Sequence, residues 1–344
     1  MRYDNLYLCG LGSYLPRGVS VDDAVAAGHY DQEDQESSGQ LAVAVAGPGD
    51  SQPEMAAAAG RVALERSGYR GAGVSLLLHA VTTYNGLDAW NVGCYLQNEV
   101  LGGAGLSFEI RQLSNGAIAS IELAAAYLAA APGRTAAMIT AADQFAEPAW
   151  DRWNATWGLV YADGASAAVL STTGGFARVL STVTVTSPEL EGLHRGSLPF
   201  GSSPDFRNYP IDFKARALDY AQHADLEEAG RVMAAGLFGS ASAAAGEADV
   251  ELTEIEHYVV PSFGRELLLR ECLSPLGIDI ERSTWGWGKS VGHLGAADQF
   301  ASLTYLSEAG KLVPGERVMI IGVGGGFNWT CAVLEVTDRP AWAY

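Results

Sequence analysis

The stretch VMIIGVGGGFNWTCAVLEV, residues 318–336, gives the clearest indication of the fold. Apolar and β-branched residues on both sides of three consecutive glycines predict two strands joined by a glycine turn. The stretch VYADGASAAVL, residues 160–170, has the same order of strand, glycine turn and strand roughly 160 residues earlier. Two such hairpins in one chain indicate an internal duplication, in which each half ends in the same way.

Outside these hairpins, strands alternate with alanine-rich helices, which predicts an α/β fold. The continuous apolar run at 74–81 is typical of a fully buried strand. The polar segment 31–54 is expected to be a loop with at most one short strand. The segment 183–225 is rich in Pro, Gly, Ser and aromatic residues. Long irregular segments in compact proteins are often functional, so we expect it to cover the site. The remaining predicted elements are strands at 6–12, 107–110, 135–140, 255–260 and 317–323, and helices at 54–67, after 114, and at 226–239 and 297–308.

The composition excludes several classes of partner. The chain has 344 residues, 48 % of them hydrophobic, which is typical of a globular protein. Its 21 basic and 40 acidic residues give a formal charge of −19. Such a charge argues against binding to nucleic acid or to an anionic membrane. Only three lysines are present, so local anion sites must depend on arginine.

The cysteines and the N-terminus indicate a soluble cytoplasmic protein. The four cysteines lack CxxC spacing and lie among apolar or small residues, so we expect neither a zinc site nor a disulfide framework. The N-terminus lacks the apolar region of a signal peptide, and no run is long enough to span a bilayer. We expect no cofactor and no metal.

The glycine turn at 322–327 does not predict a nucleotide-binding loop. A dinucleotide fingerprint needs a helix after the glycines, whereas here a strand follows. Three glycines instead allow the backbone to approach a reaction centre closely. Backbone N–H groups in such a turn can stabilise an oxyanion.

Ser114 lies between a predicted strand and a predicted helix in EIRQLSNGAIAS. The N–H groups and dipole of a helix N-terminus stabilise developing negative charge, so Ser114 is a candidate nucleophile. The alternative is a plain N-capping serine.

Two histidines are candidate bases for Ser114. His293 and Asp298 lie in SVGHLGAADQF, where the aspartate could orient the imidazole. A surface loop with a capping Asp298 is the alternative. His194 lies in the covering segment, where a solvated histidine is the usual case. The residues alone do not decide between them.

Together these segments resemble the thiolase superfamily, and within it the β-ketoacyl-ACP synthase III (KAS III) group, over nearly the whole chain. The resemblance rests on GLGSYLP, EIRQLSNGAIAS, VYADGASAAVL, EHYVVPSFGRE, GHLGAAD and IGVGGGFNWT in that order. It implies a five-layered αβαβα fold from two duplicated halves, residues 1–172 and 173–344, and a homodimer.

Three departures from the family pattern matter. The family has cysteine where this chain has Ser114, histidine where it has Ser262, and asparagine where it reads Gly292-His293. In the family the last two positions hold the thioester carbonyl of malonyl-ACP during decarboxylation. The resemblance therefore does not imply ordinary decarboxylative condensation for this chain.

The pattern looks closest to serine-bearing starter-unit proteins of aromatic polyketide, hence antibiotic, biosynthesis. This implies a KAS III-like acyltransferase that takes a short, propionyl-like acyl group from acyl-CoA or an acyl carrier protein onto Ser114. The predicted site residues are the following: Ser114, His293, Asp298 and His194 for catalysis, the N–H groups of Ser114 and Gly325 for the oxyanion, Arg152 for CoA, and Arg265 for carrier-protein docking. The family's other CoA-side positions fall near Glu33 and Ser37 and are missing.

The acceptor stays open. It could be a carrier protein, or a hydroxyl or amine of a natural product. Two other classes of function are a non-catalytic ketosynthase-like partner and a thioesterase-like hydrolase. The absence of a GxSxG elbow counts against the hydrolase.

Overall fold

The computed structural model describes residues 1–201 and 206–343. Its strands are β1 Tyr7–Tyr14, β2 Gly18–Ser20, β3 Ala42–Ala44, β4 Val74–Ala80, β5 Leu106–Ile110, β6 Ala136–Asp143, β7 Gly164–Ser171, β8 Ala177–Thr186, β9 His257–Val259, β10 Arg317–Gly324 and β11 Asn328–Val336. Its α-helices are α1 Val21–Ala26, α2 Gln32–Ser38, α3 Gln52–Ser67, α4 Val92–Leu96, α5 Gly116–Ala129, α6 Gly192–Arg195, α7 Phe213–Tyr220, α8 Leu226–Glu247, α9 Arg265–Leu268, α10 Trp285–Gly288 and α11 Asp298–Glu308.

Nine strands form one mixed sheet that runs through both halves of the chain, in the order β5-β4-β6-β7-β1-β8-β11-β10-β9. The first half contributes β5 to β1, in which β5, β4 and β6 are parallel. The second half contributes β8 to β9, in which the hairpin β10–β11 is antiparallel. The halves meet through the short pairing of Tyr7 and Leu8 in β1 with Arg178 and Ala177 in β8.

Helices pack on the strands of each half, so that the two halves of this sheet form two separate layers. Helix α3 covers β1, β6 and β7 on one outer face, and α8 covers β8 and β11 on the other. Helices α5 and α11 lie between the two halves, because α5 contacts both β4–β6 and β10–β11 while α11 contacts β1, β7 and β10. The order helix, sheet, helices, sheet, helix is the predicted αβαβα arrangement.

The alanine-rich helices fit this arrangement because small side chains allow close packing. The central layer buries Ile118, Ile121, Phe300 and Leu303 completely or nearly so. On the outer face, α8 approaches β11 so closely that a Cβ on Gly236 would lie 2.3 Å from the Trp329 ring. Glycine is therefore required at that contact.

Most predicted elements are confirmed, but three interpretations are wrong. Segment 31–54 contains helix α2, which Asp31 caps through its side chain, in addition to the short strand β3. Segment 160–170 is not a hairpin, since only β7 is a strand and Tyr161 forms an isolated bridge with His293. The covering segment 183–225 is not irregular throughout, since it contains the helices α6 and α7.

Strand β5 lies at the edge of the sheet and pairs with β4 alone. Its Leu106 and Phe108 side chains are 49 % and 50 % exposed. An edge strand with exposed apolar side chains is a surface that pairs readily with another strand. Among the described residues, no helix is long and apolar enough to cross a membrane.

Candidate active site

Ser114 lies between β5 and α5, two residues before the first residue of α5. The preceding Leu113 has φ +49°, which is unusual for a non-glycine residue and marks a strained turn. The following Asn115 is fully buried and donates to Oδ1 of Asn328 at 2.6 Å and to Oγ1 of Thr330 at 2.8 Å. Strand β11 thus fixes the turn that carries the serine.

The structure brings Ser114, His293 and Asp298 together. Oγ of Ser114 lies 2.8 Å from Nε2 of His293, although the two residues are 179 positions apart in the chain. Nδ1 of His293 lies 2.6 Å from Oδ2 of Asp298. Both His293 and Asp298 are buried, at 1 % and 0 % exposure. With Nδ1–H donating to the carboxylate, Nε2 is free to accept from the serine hydroxyl.

The carboxylate of Asp298 is also held by Ser262. The backbone N–H of Ser262 donates to Oδ2 at 2.8 Å, and its hydroxyl donates to Oδ1 at 2.7 Å. The Ser262 hydroxyl is therefore directed at Asp298. The sequence marks Ser262 only as a missing family histidine, and gives no signal for this contact.

The glycine turn between β10 and β11 packs directly on the Ser114 turn. A Cβ on Gly324 would lie 2.4 Å from the carbonyl oxygen of Gln112. A Cβ on Gly325 would lie 2.1 Å from Cε1 and Nδ1 of His194. Only glycine fits at both positions, which agrees with the close backbone approach expected from the sequence.

His194 lies near Ser114, but the serine hydroxyl is hydrogen-bonded to His293. The ring of His194 packs against Phe213 and Phe327, with centroid distances of 4.4 Å and 5.0 Å. Its Nδ1 is buried without a hydrogen-bond partner. Burial, with a smaller contribution from the nearby charge of Arg216, lowers the pKa of His194 to about 4. His194 is therefore neutral at neutral pH.

Ser114 and His194 line one cavity of about 270 Å³. Its walls are mostly aromatic and apolar: Thr82, Leu113, Ser114, Trp150, Tyr161, His194, Ile211, Phe213, Arg216 and Gly325. Two surface cavities adjoin it. One shares Trp150 and includes Arg152. The other shares His194, Arg216 and Gly325 and extends to the exposed Phe200. A small acyl group fits in a space of this volume.

Arg152 lies at a surface cavity, as its predicted CoA role requires, but its guanidinium is bound within the protein. It contacts Asp163 through two hydrogen bonds, at 2.9 Å and 3.2 Å, and donates to the carbonyl oxygen of Tyr161 at 3.1 Å. The side chains of Arg152 and Asp163 are 13 % and 1 % exposed. This ion pair offsets the charge that a CoA phosphate would need, so the CoA role stays a prediction.

Arg265, the predicted docking residue, is exposed and begins helix α9. It is close to α2, because a Cβ on Gly39 would lie 3.7 Å from the Arg265 Cβ. Glu33 and Ser37, where family CoA contacts are missing, lie on α2 itself. Within the part of the chain that the structure describes, no group of three or more His, Cys, Asp or Glu side chains could hold a metal ion.

Comparisons with known families and proteins show what the chain is similar to. The family model described as 3-oxoacyl-acyl-carrier-protein synthase III C terminal matches residues 246–336. The β-ketoacyl-acyl-carrier-protein synthase III of Paramagnetospirillum magneticum is 24 % identical over 334 residues, which are 96 % of this chain and 98 % of that protein.

Solved structures resemble the whole chain. The structure described as the acyltransferase ChlB3 is 35 % identical, has a TM-score of 0.91, and covers 99 % of this chain and 100 % of its own. The priming β-ketosynthase from the R1128 polyketide pathway has a TM-score of 0.77, with 20 % identity and 98 % of each chain covered. The second likeness shows the fold alone.

Proposed function

Because the chain belongs to the thiolase superfamily as a KAS III-like protein, we propose that it is an acyltransferase that carries the acyl group on Ser114. The observation that carries the proposal is the continuous hydrogen-bonded chain from Ser114 through His293 to Asp298, with distances of 2.8 Å and 2.6 Å. A serine hydroxyl is a weak nucleophile, and an adjacent oriented base is the feature that activates it.

In the first half-reaction His293 takes the hydroxyl proton while Oγ of Ser114 attacks the thioester carbonyl. The C–O bond forms, and the developing oxyanion is held by the N–H groups of Ser114 and Gly325. The C–S bond then breaks, and the proton on His293 passes to the departing thiolate. Asp298 stabilises the imidazolium and holds the ring in place. The product is an acyl-serine ester and a free thiol.

In the second half-reaction an acceptor replaces the thiol. Its N–H, O–H or S–H group gives the proton to His293 and attacks the ester, and the Ser114 hydroxyl reforms as the ester C–O bond breaks. The residues that a KAS III enzyme uses for decarboxylation are replaced here by Ser262 and His293, and both are engaged with Asp298. Acyl transfer without decarboxylation is therefore favoured over condensation.

The donor in this proposal is an acyl-CoA or an acyl carrier protein, with a short propionyl-like acyl group. The context is starter-unit priming in polyketide or other antibiotic biosynthesis. The acceptor is a carrier-protein thiol, or a hydroxyl or amine of a natural product. Support comes from the similarity to ChlB3, which is described as an acyltransferase, at 35 % identity. We further propose a homodimer, in which the exposed edge strand β5 pairs with a second copy.

Intact-mass spectrometry tests the proposal. Wild-type protein incubated with short acyl-CoAs is expected to gain one acyl mass, Ser114→Ala none, and His293→Ala very little. His194→Ala tests which histidine is the base. If His194 were the base, its loss would reduce acylation as strongly as His293→Ala does. Release of free acid faster than transfer would indicate a hydrolase. A stable complex with a ketosynthase, without any acyl-serine, would indicate a non-catalytic partner.

A further inference from the structure

The cavity beside Ser114 contains one side chain that carries a charge at neutral pH, that of Arg216. The other lining groups are apolar, aromatic or neutral, and His194 is among them because of its low pKa. Arg216 also lines the adjoining cavity that reaches Phe200. It thus stands at the boundary between the reaction cavity and the space beyond it.

The guanidinium of Arg216 has no ion-pair partner within 4.0 Å among the described residues. It donates one hydrogen bond, to the carbonyl oxygen of His194 at 2.9 Å, and lies over the Phe213 ring at 5.3 Å. The charge of Asp212 acts on Arg216 without an ion pair within 4.0 Å, and Oδ1 of Asp212 accepts from the N–H of Ala215 at 2.9 Å. A guanidinium has five N–H donors, so most of those of Arg216 are left for a ligand.

The neighbouring Arg195 differs from Arg216 in that its guanidinium is ion-paired. It lines the same outer cavity, but its guanidinium is bound by both carboxylate oxygens of Glu191, at 2.5 Å to 3.1 Å. Charged side chains that are partly buried are normally paired, and this chain has nearly twice as many acidic as basic residues with which to pair them. An uncompensated guanidinium in the reaction cavity therefore favours an anionic ligand.

We propose that Arg216 binds a carboxylate carried by the acyl group itself, so that the enzyme selects dicarboxylic acyl groups such as malonyl or succinyl. This inference rests on the proposed acyl transfer and replaces its propionyl-like group by one with a second, ionised carboxyl. The acyl carboxylate is favoured over the phosphate of CoA or of a carrier protein, because the full pantetheine arm separates that phosphate from the thioester. Arg216, in contrast, lines the same cavity of about 270 Å³ as Ser114. Arginine suits this role because its planar guanidinium binds a carboxylate through bidentate hydrogen bonds.

Binding of matched acyl-CoAs to Ser114→Ala tests this inference without turnover. Malonyl-CoA is compared with isovaleryl-CoA, and succinyl-CoA with 4-methylpentanoyl-CoA, because each pair differs by the replacement of a carboxylate with an isopropyl group of similar shape. We expect the carboxylate member to bind about tenfold more tightly or better, as a charge-assisted hydrogen bond in a partly buried site would give. Equal binding, or a preference for the branched alkyl member, overturns the inference.

Variants at Arg216 locate the effect. Arg216→Met is expected to abolish or reverse the preference, and Arg216→Lys, which keeps the charge, to retain part of it. Arg195→Met is the matched control and should keep the wild-type preference, because Glu191 already binds that guanidinium. If the preference survives in Arg216→Met, the carboxylate lies elsewhere and the inference fails.

The two proposals fail separately. A carboxylate preference in Ser114→Ala, together with no acyl mass on the wild-type protein from any donor, would overturn the acyl transfer and leave the Arg216 site standing. Acyl mass from isovaleryl-CoA as readily as from malonyl-CoA would leave the acyl transfer standing and overturn the site.

Discussion

The hydroxyl of Ser262 donates to Oδ1 of Asp298 at 2.7 Å, while Oδ2 of the same carboxylate accepts from His293. Ser262, which replaces a family histidine, thus contacts both oxygens of Asp298, and it shares Oδ2 with the proposed base His293. Ser262 acts through Asp298 and His293, and in that sense it is a positioning residue for Ser114.

Loss of the Ser262 hydroxyl is expected to slow acylation of Ser114. Ser262→Ala removes a hydrogen bond to a charged group, worth about 1.5–3 kcal/mol in a buried site, so acylation should slow by about tenfold or more. The acyl-CoA concentration for half-maximal rate should stay unchanged, because Ser262 is 2 % exposed and is directed at Asp298. Stopped-flow or quenched mass measurements of acyl-enzyme formation give both quantities.

Gly288 offers an independent test of the same hydroxyl. A Cβ on Gly288 would lie 2.7 Å from Oγ of Ser262, whereas one on Gly286 in the same short helix would meet open space. Gly288→Ala should therefore reduce acylation as Ser262→Ala does, and Gly286→Ala should leave it at the wild-type rate. Equal rates in both glycine variants would show that the position of the Ser262 hydroxyl does not matter.

The glycine turn is expected to tolerate no side chain at Gly325. Gly325→Ala would place its Cβ 2.1 Å from the His194 ring, and both are held in a packed region, so the turn or the ring must move. We expect a loss of acylation of about a hundredfold, as for the loss of one oxyanion donor. Gly133→Ala, where nothing lies within 4 Å, is the control. Wild-type acylation by Gly325→Ala would contradict the close packing and the proposed oxyanion role.

Arg152 is expected to contribute to the stability of the protein, and Arg265 to the binding of an acyl carrier protein. Arg152→Ala breaks a buried ion pair and should lower the free energy of unfolding by about 3–5 kcal/mol, with Asp163→Asn lowering it in the same direction. Arg265→Ala removes an exposed arginine and should leave Tm unchanged, while it raises the KM for an acyl carrier protein donor. An unchanged Tm for Arg152→Ala, with a raised KM for acyl-CoA only, would instead support the predicted CoA contact.

The free energy of unfolding is expected to fall as the pH falls from 6.5 towards 4. Burial lowers the pKa of both His79 and His194 from 6.5 to about 4. Within this window the unfolded chain binds protons that the folded protein excludes, so each histidine costs about 1.4 kcal/mol of stability per pH unit. Chemical denaturation at several pH values should show that the free energy of unfolding of His79→Gln falls less steeply with falling pH than that of the wild-type protein. The change His29→Gln removes an exposed histidine and is the control; equal slopes in both variants would contradict the assignment.

The edge strand β5 is expected to form the interface of the proposed homodimer. Phe108→Lys places a charge on an exposed apolar edge and should shift the protein to a monomer in analytical ultracentrifugation. Phe238→Lys changes an equally exposed phenylalanine on the outer helix α8 and should leave the oligomeric state unchanged. A monomeric wild-type protein, or a dimer that persists in Phe108→Lys, would contradict this expectation.

Residue type and local periodicity were enough to predict the α/β order, the glycine turn at 322–327, the Ser114 junction and the GHLGAAD motif. They missed α2, since a short polar helix has no apolar stripe and is marked only by its capping Asp31. They also overestimated the likeness of the two hairpins, since the residues before β7 form a bridge to His293 instead of a strand.

Which side chains meet in the site depends on the packing of the folded chain. Ser114 could have paired with His194 or His293, and only the packing of the two halves brings together residues 179 positions apart. The same packing directs Ser262 at Asp298, pairs Arg152 with Asp163, and leaves Arg216 without a carboxylate in the reaction cavity. The charge of −19 excluded classes of partner, but local geometry decides which of the few arginines is still available to an anion.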